Sequence, residues 1–373
     1  MRDQIKIKDL LSGGRLEDDG LLSLLKNEGN LPEIAEAADG INRRVNSGRV
    51  TYVVNRNINF TNVCNLNCKF CGYKRTKGAP DAFLLGYDKI LEKISDGMKI
   101  GIDEICVTGG INPDLKPDYY FGLLKTIKRS FPRLHIHAFS PQEIYELSRM
   151  TGKSREAVIS ALAEAGLNSM PGTAAEILAE KTRKYICPEK IGSSTWAEII
   201  KTAHKTGIKT SATVLFGHLE TESDLVHHLS LIRNIQDETR GFTEFITLPF
   251  ISSKTPLRKK VAVPFQGNVQ RVFKFYSILR LYLDNFKNIQ VSWPKIGVEN
   301  AARSLDYGVN DFGGTLMEEN ITKSAGGGFG EYLPERAIIE IIKSAGKIPV
   351  RRNTLYETGI YEETMPAEKV SSL

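Results

Sequence analysis

The spacing of apolar and polar positions changes along this chain, and the changes mark out its elements. Over the first fifty residues, Leu21-Leu22-Ser23-Leu24-Leu25 and Ile34-Ala35-Glu36-Ala37-Ala38 recur at helical intervals, with Gly13-Gly14 and Gly29-Asn30 as breaks. This predicts a small helical segment over 1–50. From about residue 50, short β-branched runs alternate with amphipathic stretches. Val53-Val54 and Ile58-Asn59-Phe60 read as strand. Tyr87 to Gly101 reads as a helix, and Glu104 to Thr108 as a short buried strand ending in Gly109-Gly110. A helix over Pro117–Ser130 and a strand over Leu134–Phe139 follow. Helices are expected over Pro141–Met150 and Ser154–Ala165, the second with Ser154 as its N-cap. The series continues with a strand near Ser169-Met170, a helix over Ser194–Thr206 and a strand over Thr210–Phe216. A helix over Thr221–Gln236, a strand over Phe242–Leu248, a helix over Val269–Asn285 and a last clear strand over Ile289–Ser292 complete it.

Repeated strand–helix units predict an α/β fold with a parallel sheet and right-handed crossovers. Six or more units in one series favour a closed or nearly closed (β/α) barrel of the TIM type over a flat doubly wound sheet. The expected layout is a helical segment over 1–50, the barrel over 51–310, and a C-terminal segment over 311–373 that completes or flanks it. No GxGxxG or Walker-type loop stands where a nucleotide-binding fold needs one. Barrel chemistry sits at the C-terminal ends of strands. The cysteine-rich loop after the first strand, Gly109-Gly110, His137, Ser140 and Gly217-His218 all fall at such ends.

Composition narrows the function classes. The chain has 373 residues, 41% of them hydrophobic, and a formal charge of +6 that is dispersed apart from short runs such as Arg258-Lys259-Lys260. That is a solvated basic surface rather than a nucleic-acid footprint. No apolar run approaches the ~20 residues of a membrane span. Five cysteines in a long chain read as lacking a signal peptide indicate a reducing, cytoplasmic setting rather than a disulfide framework.

Three of those cysteines, Cys64, Cys68 and Cys71, stand in a CxxxCxxC run. Thiolates this close can hold three corners of a cubane iron–sulfur cluster and leave the fourth iron open to a small molecule. The competing reading is a structural zinc site, which needs a fourth ligand. The nearest histidines, His135 and His137, are far along the chain, and neither Cys106 nor Cys187 belongs to a second CxxC pair.

CxxxCxxC with Phe70 before its last cysteine resembles the radical S-adenosylmethionine (SAM) enzymes. Asn59-Phe60-Thr61-Asn62-Val63-Cys64, Thr108-Gly109-Gly110, His135-Ile136-His137-Ala138-Phe139-Ser140-Pro141 and Pro171-Gly172-Thr173-Ala174-Ala175-Glu176 are similar to one branch of them. That branch holds futalosine enzymes of the menaquinone pathway and the deazaflavin synthases. Arg183-Lys184-Tyr185-Ile186-Cys187-Pro188, Phe216-Gly217-His218-Leu219-Glu220-Thr221 and Gly241-Phe242-Thr243-Glu244-Phe245 fit the same branch. Within it, Ile186-Cys187-Pro188 and Asn310-Asp311-Phe312-Gly313-Gly314-Thr315-Leu316 most resemble the second subunit of 7,8-didemethyl-8-hydroxy-5-deazariboflavin (FO) synthase. The resemblance runs from about residue 50 to 355; the glycine-rich Ser324 to Gly330 stretch departs from it.

The resemblance implies a [4Fe-4S] cluster on the three cysteines, with SAM chelated at the open iron. Reductive cleavage of SAM would give a 5′-deoxyadenosyl radical that takes hydrogen from L-tyrosine. Cleavage of Cα–Cβ then releases a 4-hydroxybenzyl radical and an imine of glyoxylate. The benzyl radical adds to C5 of 5-amino-6-(D-ribitylamino)uracil, and one electron leaves the adduct. An external one-electron reductant and a partner radical SAM subunit that closes the deazaflavin ring of the coenzyme F420 precursor are implied as well.

For site residues, the resemblance points to Phe70 and Tyr73 over the cluster and adenine, with loop packing as their ordinary alternative. Thr108, Gly109 and Gly110 would let backbone approach the SAM amino group, or form an ordinary turn. Ser140 and Glu176 would meet the ribose or methionine part, and Arg183 the carboxylate. His137 and His218 are candidates for proton transfer or pyrimidine binding, or are structural. Cys187 is a relay thiol or a small buried hydrophobe. Asp311 and Thr315 are candidates for a polar substrate tail, while His204 and the His227-His228 pair read as surface residues. A futalosine-type enzyme and a non-catalytic iron–sulfur carrier or sensor remain as rivals.

Overall fold

The computed structural model describes Leu10, residues 12–27, Gly29, 31–261 and 268–358. Asn30 and the ends of the two terminal segments, 1–9 and 359–373, lie outside the described residues. Ten strands form one sheet in the order β10-β1-β9-β8-β7-β6-β5-β4-β3-β2, and all pairs are parallel. The strands are β1 Arg49–Val53, β2 Asn55–Asn59, β3 Glu104–Thr108, β4 His135–Ala138, β5 Ser169–Met170, β6 Lys209–Phe216, β7 Phe242–Pro249, β8 Ile289–Gln290, β9 Asp311–Gly314 and β10 Ile348–Arg351. The sheet curls until its ends meet. Asn57 N–H donates to Leu316 O at 2.8 Å, just beyond β9, and Thr315 Oγ1 donates to Asn55 O at 2.7 Å. The expected barrel is therefore present, closed through the residues that follow β9.

Helices cross over between successive strands and bury one face each. Helix α1 (Asp18–Lys26) and α2 (Leu31–Asn46) precede the sheet, and both pack on α10 (Val269–Tyr282). Between strands run α3 (Tyr87–Met98), α4 (Pro117–Ser130), α5 (Pro141–Thr151), α6 (Arg155–Ala165), α7 (Glu180–Ile186), α8 (Ser193–Lys205) and α9 (Glu222–Thr239). Helix α5 shows why the chain turns where it does. Ser140 and Glu143 form a capping box, Pro141 occupies the first turn, and Gly152 ends the helix at φ 68°. Beyond β8 come α11 (Trp293–Ile296), α12 (Val298–Ser304), α13 (Asn320–Ala325) and α14 (Glu335–Ser344).

The apolar core lies between sheet and helices, where Ile90, Leu124, Ile144, Trp196 and Phe273 are buried. The barrel interior is different. TIM-type interiors are usually filled with branched apolar layers. Here Asn55, Asn57, Asn59, Glu104, His137, Ser211, Thr213, Glu244 and Gln290 line a cavity instead. The C-terminal segment closes its floor. Arg352 holds Asp311 through two hydrogen bonds, Nε to Oδ2 at 2.5 Å and Nη2 to Oδ1 at 3.1 Å. Both residues are buried. Asp311 and Thr315 are thereby corrected as substrate-tail candidates: Asp311 is bonded to Arg352, Thr51 and Gly313, and Thr315 to Asn55.

Removing one partner of a buried ion pair strands the other charge and costs about 3–5 kcal/mol. Asp311→Ala is expected to lower the thermal unfolding midpoint clearly, and an added Arg352→Met to recover part of the loss. An unchanged midpoint in Asp311→Ala would show that this pair does not hold the floor.

Candidate active site

The loop after β2 carries Cys64, Cys68 and Cys71, all unpaired and half-buried. Its shape is set by backbone bonds from four directions. Cys64 N–H donates to Arg75 O at 3.1 Å, Asn65 to Ile111 O at 3.0 Å, and Lys69 to Ile186 O at 2.7 Å; Leu257 donates to Lys69 O at 3.0 Å. The glycine turn after β3 lies directly against this loop. A Cβ on Gly110 would overlap the Val63 carbonyl and come within 2.9 Å of Cys64 Cβ, and one on Gly109 would fall 2.5 Å from the Phe60 ring. The glycines thus admit the cysteine loop itself, and Gly109 and Gly110 also line the cavity the thiols face.

That cavity is lined by all three cysteines with Phe70, Tyr73, Thr108, Ser140 and Glu176 among others. Neither Cys106 nor Cys187 lines it, and no histidine does. Ile111 N–H donates to Cys64 Sγ at 3.3 Å, the kind of amide bond that stabilises cluster thiolates. Three thiols lining one cavity suit a cubane with one open iron; the carboxylates on the same wall, Glu143 and Glu176, are engaged by Ser140 and Lys190.

The far wall comes from the loops after β4 and β5. Ala174 and Glu176 adopt left-handed backbone, at φ 64° and 51°, a strained conformation that clusters at functional sites. Arg183 holds that loop. Its guanidinium donates to Ala174 O at 2.7 Å, Ile177 O at 3.3 Å, Ile191 O at 2.8 Å and also Ala175 O. Arg183 is 1% exposed, so the expectation that it meets a carboxylate is corrected: carbonyls already occupy its donors. The sequence reading overlooked two charged neighbours. Lys190 lies 2.5 Å from Glu176 and 5.4 Å from the Phe70 ring centroid. Burial works to lower its ammonium pKa, but Glu176 and Cys68 hold it above the usual value. Glu143 Oε2 accepts from Ser140 N–H at 2.6 Å and from its Oγ at 2.9 Å, while Oε1 has no partner. Burial pushes this carboxyl up to about 7, against the Ser140 bonds.

His137 lines the second, interior cavity, with Nδ1 2.7 Å from Ser169 Oγ. His218 lines neither cavity. Its Nε2 lies 3.0 Å from Leu215 O, and its Nδ1 accepts from Leu219 N–H at 2.7 Å. Both ring nitrogens have backbone partners, and Glu220 Oε2 lies 3.1 Å from Nδ1. Cys187 is 1% exposed, with its thiol bonded to Arg183 O at 3.3 Å. It lines neither cavity, which fits the small buried residue of the two readings. Two surface expectations also change. His228 is fully buried, and His204 bridges Thr239 and Thr210 while packing edge-on against Phe242.

The two cavities share Thr108, Thr173, Leu248, Lys295 and Ile321. No hydrogen bond or ion pair engages the Lys295 ammonium among the described residues. Burial lowers its pKa, with Glu319 and Glu176 opposing.

Comparison with known proteins bears on this geometry. A model of the radical SAM superfamily matches residues 58–232, and one described as the CofH/MqnC C-terminal region matches 239–365. Relatives named 5-amino-6-(D-ribitylamino)uracil–L-tyrosine 4-hydroxyphenyl transferase are similar over most of the chain. The one from Methanococcus maripaludis strain C7 is 43% identical over 90% of this chain and 95% of its own length. That from Archaeoglobus fulgidus is 44% identical over 89% and 94%. Among solved structures, methylornithine synthase (PylB) superposes with a TM-score of 0.72 at 18% identity, covering 92% of this chain and 97% of that one. The [FeFe]-hydrogenase maturase HydG gives 0.71 at 14%, covering 92% and 75%. These two share the fold.

Gly110→Ala is expected to force the cysteine loop away from the β3 turn. Iron content after anaerobic reconstitution and the brown absorbance of the protein should fall severalfold, while far-ultraviolet circular dichroism stays unchanged. Full iron loading of the variant would show that the close approach is not needed.

Proposed function

Since the chain belongs to the radical SAM superfamily and carries the CofH/MqnC C-terminal region, we propose that it transfers the 4-hydroxybenzyl group of L-tyrosine to C5 of 5-amino-6-(D-ribitylamino)uracil. This is a step of deazaflavin synthesis. The observation that carries the reading is 41–44% identity to enzymes of that name over about nine-tenths of the chain. The geometry supports it: a cavity at the cysteines opens into a polar cavity inside the barrel. No helix among the described residues is long and apolar enough to cross a membrane.

Cys64, Cys68 and Cys71 would hold a [4Fe-4S] cluster, and the cluster with SAM would supply, when bound, a one-electron reductive cleavage. Phe70 and Tyr73 present ring faces to the cofactor side of the cavity. Ser140, Glu143 and Glu176 offer acceptors to its hydroxyl and ammonium groups, and Lys190 neutralises Glu176. Thr108, Gly109 and Gly110 form the wall between cofactor and substrate. Lys295 stands where both cavities meet and meets the carboxylate of tyrosine there, which directs the Cα–Cβ bond toward the rim. The apolar Leu248 beside it helps keep water from the rim. His137 contacts the diaminouracil from β4. The product would pass to a partner radical SAM subunit that closes the ring.

Reconstituted protein with dithionite, SAM, tyrosine and the diaminouracil is expected to yield 5′-deoxyadenosine and the hydroxybenzylated uracil. Cys68→Ala should abolish both, and Lys295→Met should raise the KM for tyrosine roughly tenfold or more. SAM cleavage that occurs only with a futalosine derivative would overturn the reading.

A further inference from the structure

The interior cavity runs deeper than the rim chemistry needs. From Thr108 at the rim to Glu104 at the floor is about 13 Å of β3, at ~3.3 Å per residue. That depth takes a pyrimidine ring followed by an extended chain. Most floor groups are internally satisfied. Glu104 accepts from Asn55 Nδ2 at 3.0 Å and from Thr354 Oγ1, and Arg352 is held by Asp311. Glu244 is not, and two other side chains of this cavity keep spare hydrogen-bonding capacity. Glu244 is 5% exposed, and its Oε2 has no hydrogen-bond partner. His137 is bonded through Nδ1 alone, to Ser169. The side-chain amide of Gln290 makes no hydrogen bond among the described residues, yet it lines this cavity.

A buried polar atom left unpaired costs about 1–3 kcal/mol, so such groups call for a ligand or water. Glu244 Oε2 is such an atom, and the unbonded Nε2 of His137 and the Gln290 amide in the same cavity give a ligand with several hydroxyls further partners. We propose that the ribityl chain of the diaminouracil extends to this floor and that Glu244, with His137 and Gln290, hydrogen-bonds its hydroxyls. The inference rests on the transferase reading and places the part of the substrate which that reading left open. Burial pushes the Glu244 carboxyl up to about 8, with Arg352 opposing. At neutral pH it therefore keeps its proton and serves as both donor and acceptor, which is what a hydroxyl requires. The competing occupant is the phenol of tyrosine, whose one hydroxyl would leave most of these groups unpaired.

The test compares the natural diaminouracil with 5-amino-6-(methylamino)uracil, which lacks the polyol, in the reconstituted enzyme. The readouts are kcat/KM, calorimetric Kd and 5′-deoxyadenosine formed with tyrosine alone. The unsubstituted enzyme is expected to favour the ribityl substrate by roughly 10²-fold or more. Glu244→Leu should reduce that preference to within about tenfold, with the truncated substrate and the tyrosine-only reaction unaffected. Glu244→Gln, a neutral donor and acceptor, should retain most of it. Gln290→Leu provides a second arm and should show the same selective loss. An unchanged preference in both Leu variants, or a raised KM for tyrosine in Glu244→Leu, overturns the proposal. If the unsubstituted enzyme modifies neither uracil, the transferase reading has failed, and the polyol assignment fails with it.

Discussion

Everything at the active site depends on how closely the cysteine loop approaches the turn after β3. Side chains at 109 or 110 would collide with Phe60 and with the Val63 backbone, so glycine at both positions lets two loops from adjacent strands share one wall. The loop is then held on its other sides by Ile186 and Leu257, which exchange backbone bonds with Lys69. No single one of these bonds is strong. Together they hold three thiols toward one cavity. Where a cluster would sit is thus set by the loop packing as much as by cysteine spacing.

The barrel interior answers a second demand. A radical enzyme must bind a polar substrate in a site closed to water, and buried polar groups are costly unless paired. The chain pairs most of its own: Asn55 with Glu104, Thr354 with Glu104, Arg352 with Asp311. Among the buried atoms left without a partner, Glu143 Oε1 and Glu244 Oε2 line the two cavities, while Arg56 Nε, His228 Nε2 and Asn285 Oδ1 lie outside them.

Much of the scaffold was legible in the sequence. Strand β3 and helix α4 match their expected bounds because Ile105 and Val107 alternate cleanly and Pro117 marks a helix start. Ser154 capped α6 as read. Strands β9 and β10 escaped notice for physical reasons. Asp311-Phe312-Gly313-Gly314 has glycine where alternation would show, and Ile348-Pro349-Val350-Arg351 is a short edge strand with a proline. Side-chain direction was harder to read. Arg183, read as a carboxylate binder, donates to loop carbonyls; His218, read as a candidate proton carrier, is bonded at both ring nitrogens. Composition does not say which partners a buried donor will find. The alternating asparagines of β2 were a missed signal, since polar residues at 55, 57 and 59 on one strand face already imply a polar barrel interior.

The central claim is that Cys64, Cys68 and Cys71 leave one iron free for the amino acid part of SAM. Electron–nuclear double resonance on the reduced protein with SAM labelled with 15N at its amino group addresses this directly. The account predicts a clear hyperfine coupling between the label and the cluster, lost in Cys68→Ala. A fully loaded cluster that shows no coupling to labelled SAM would contradict it.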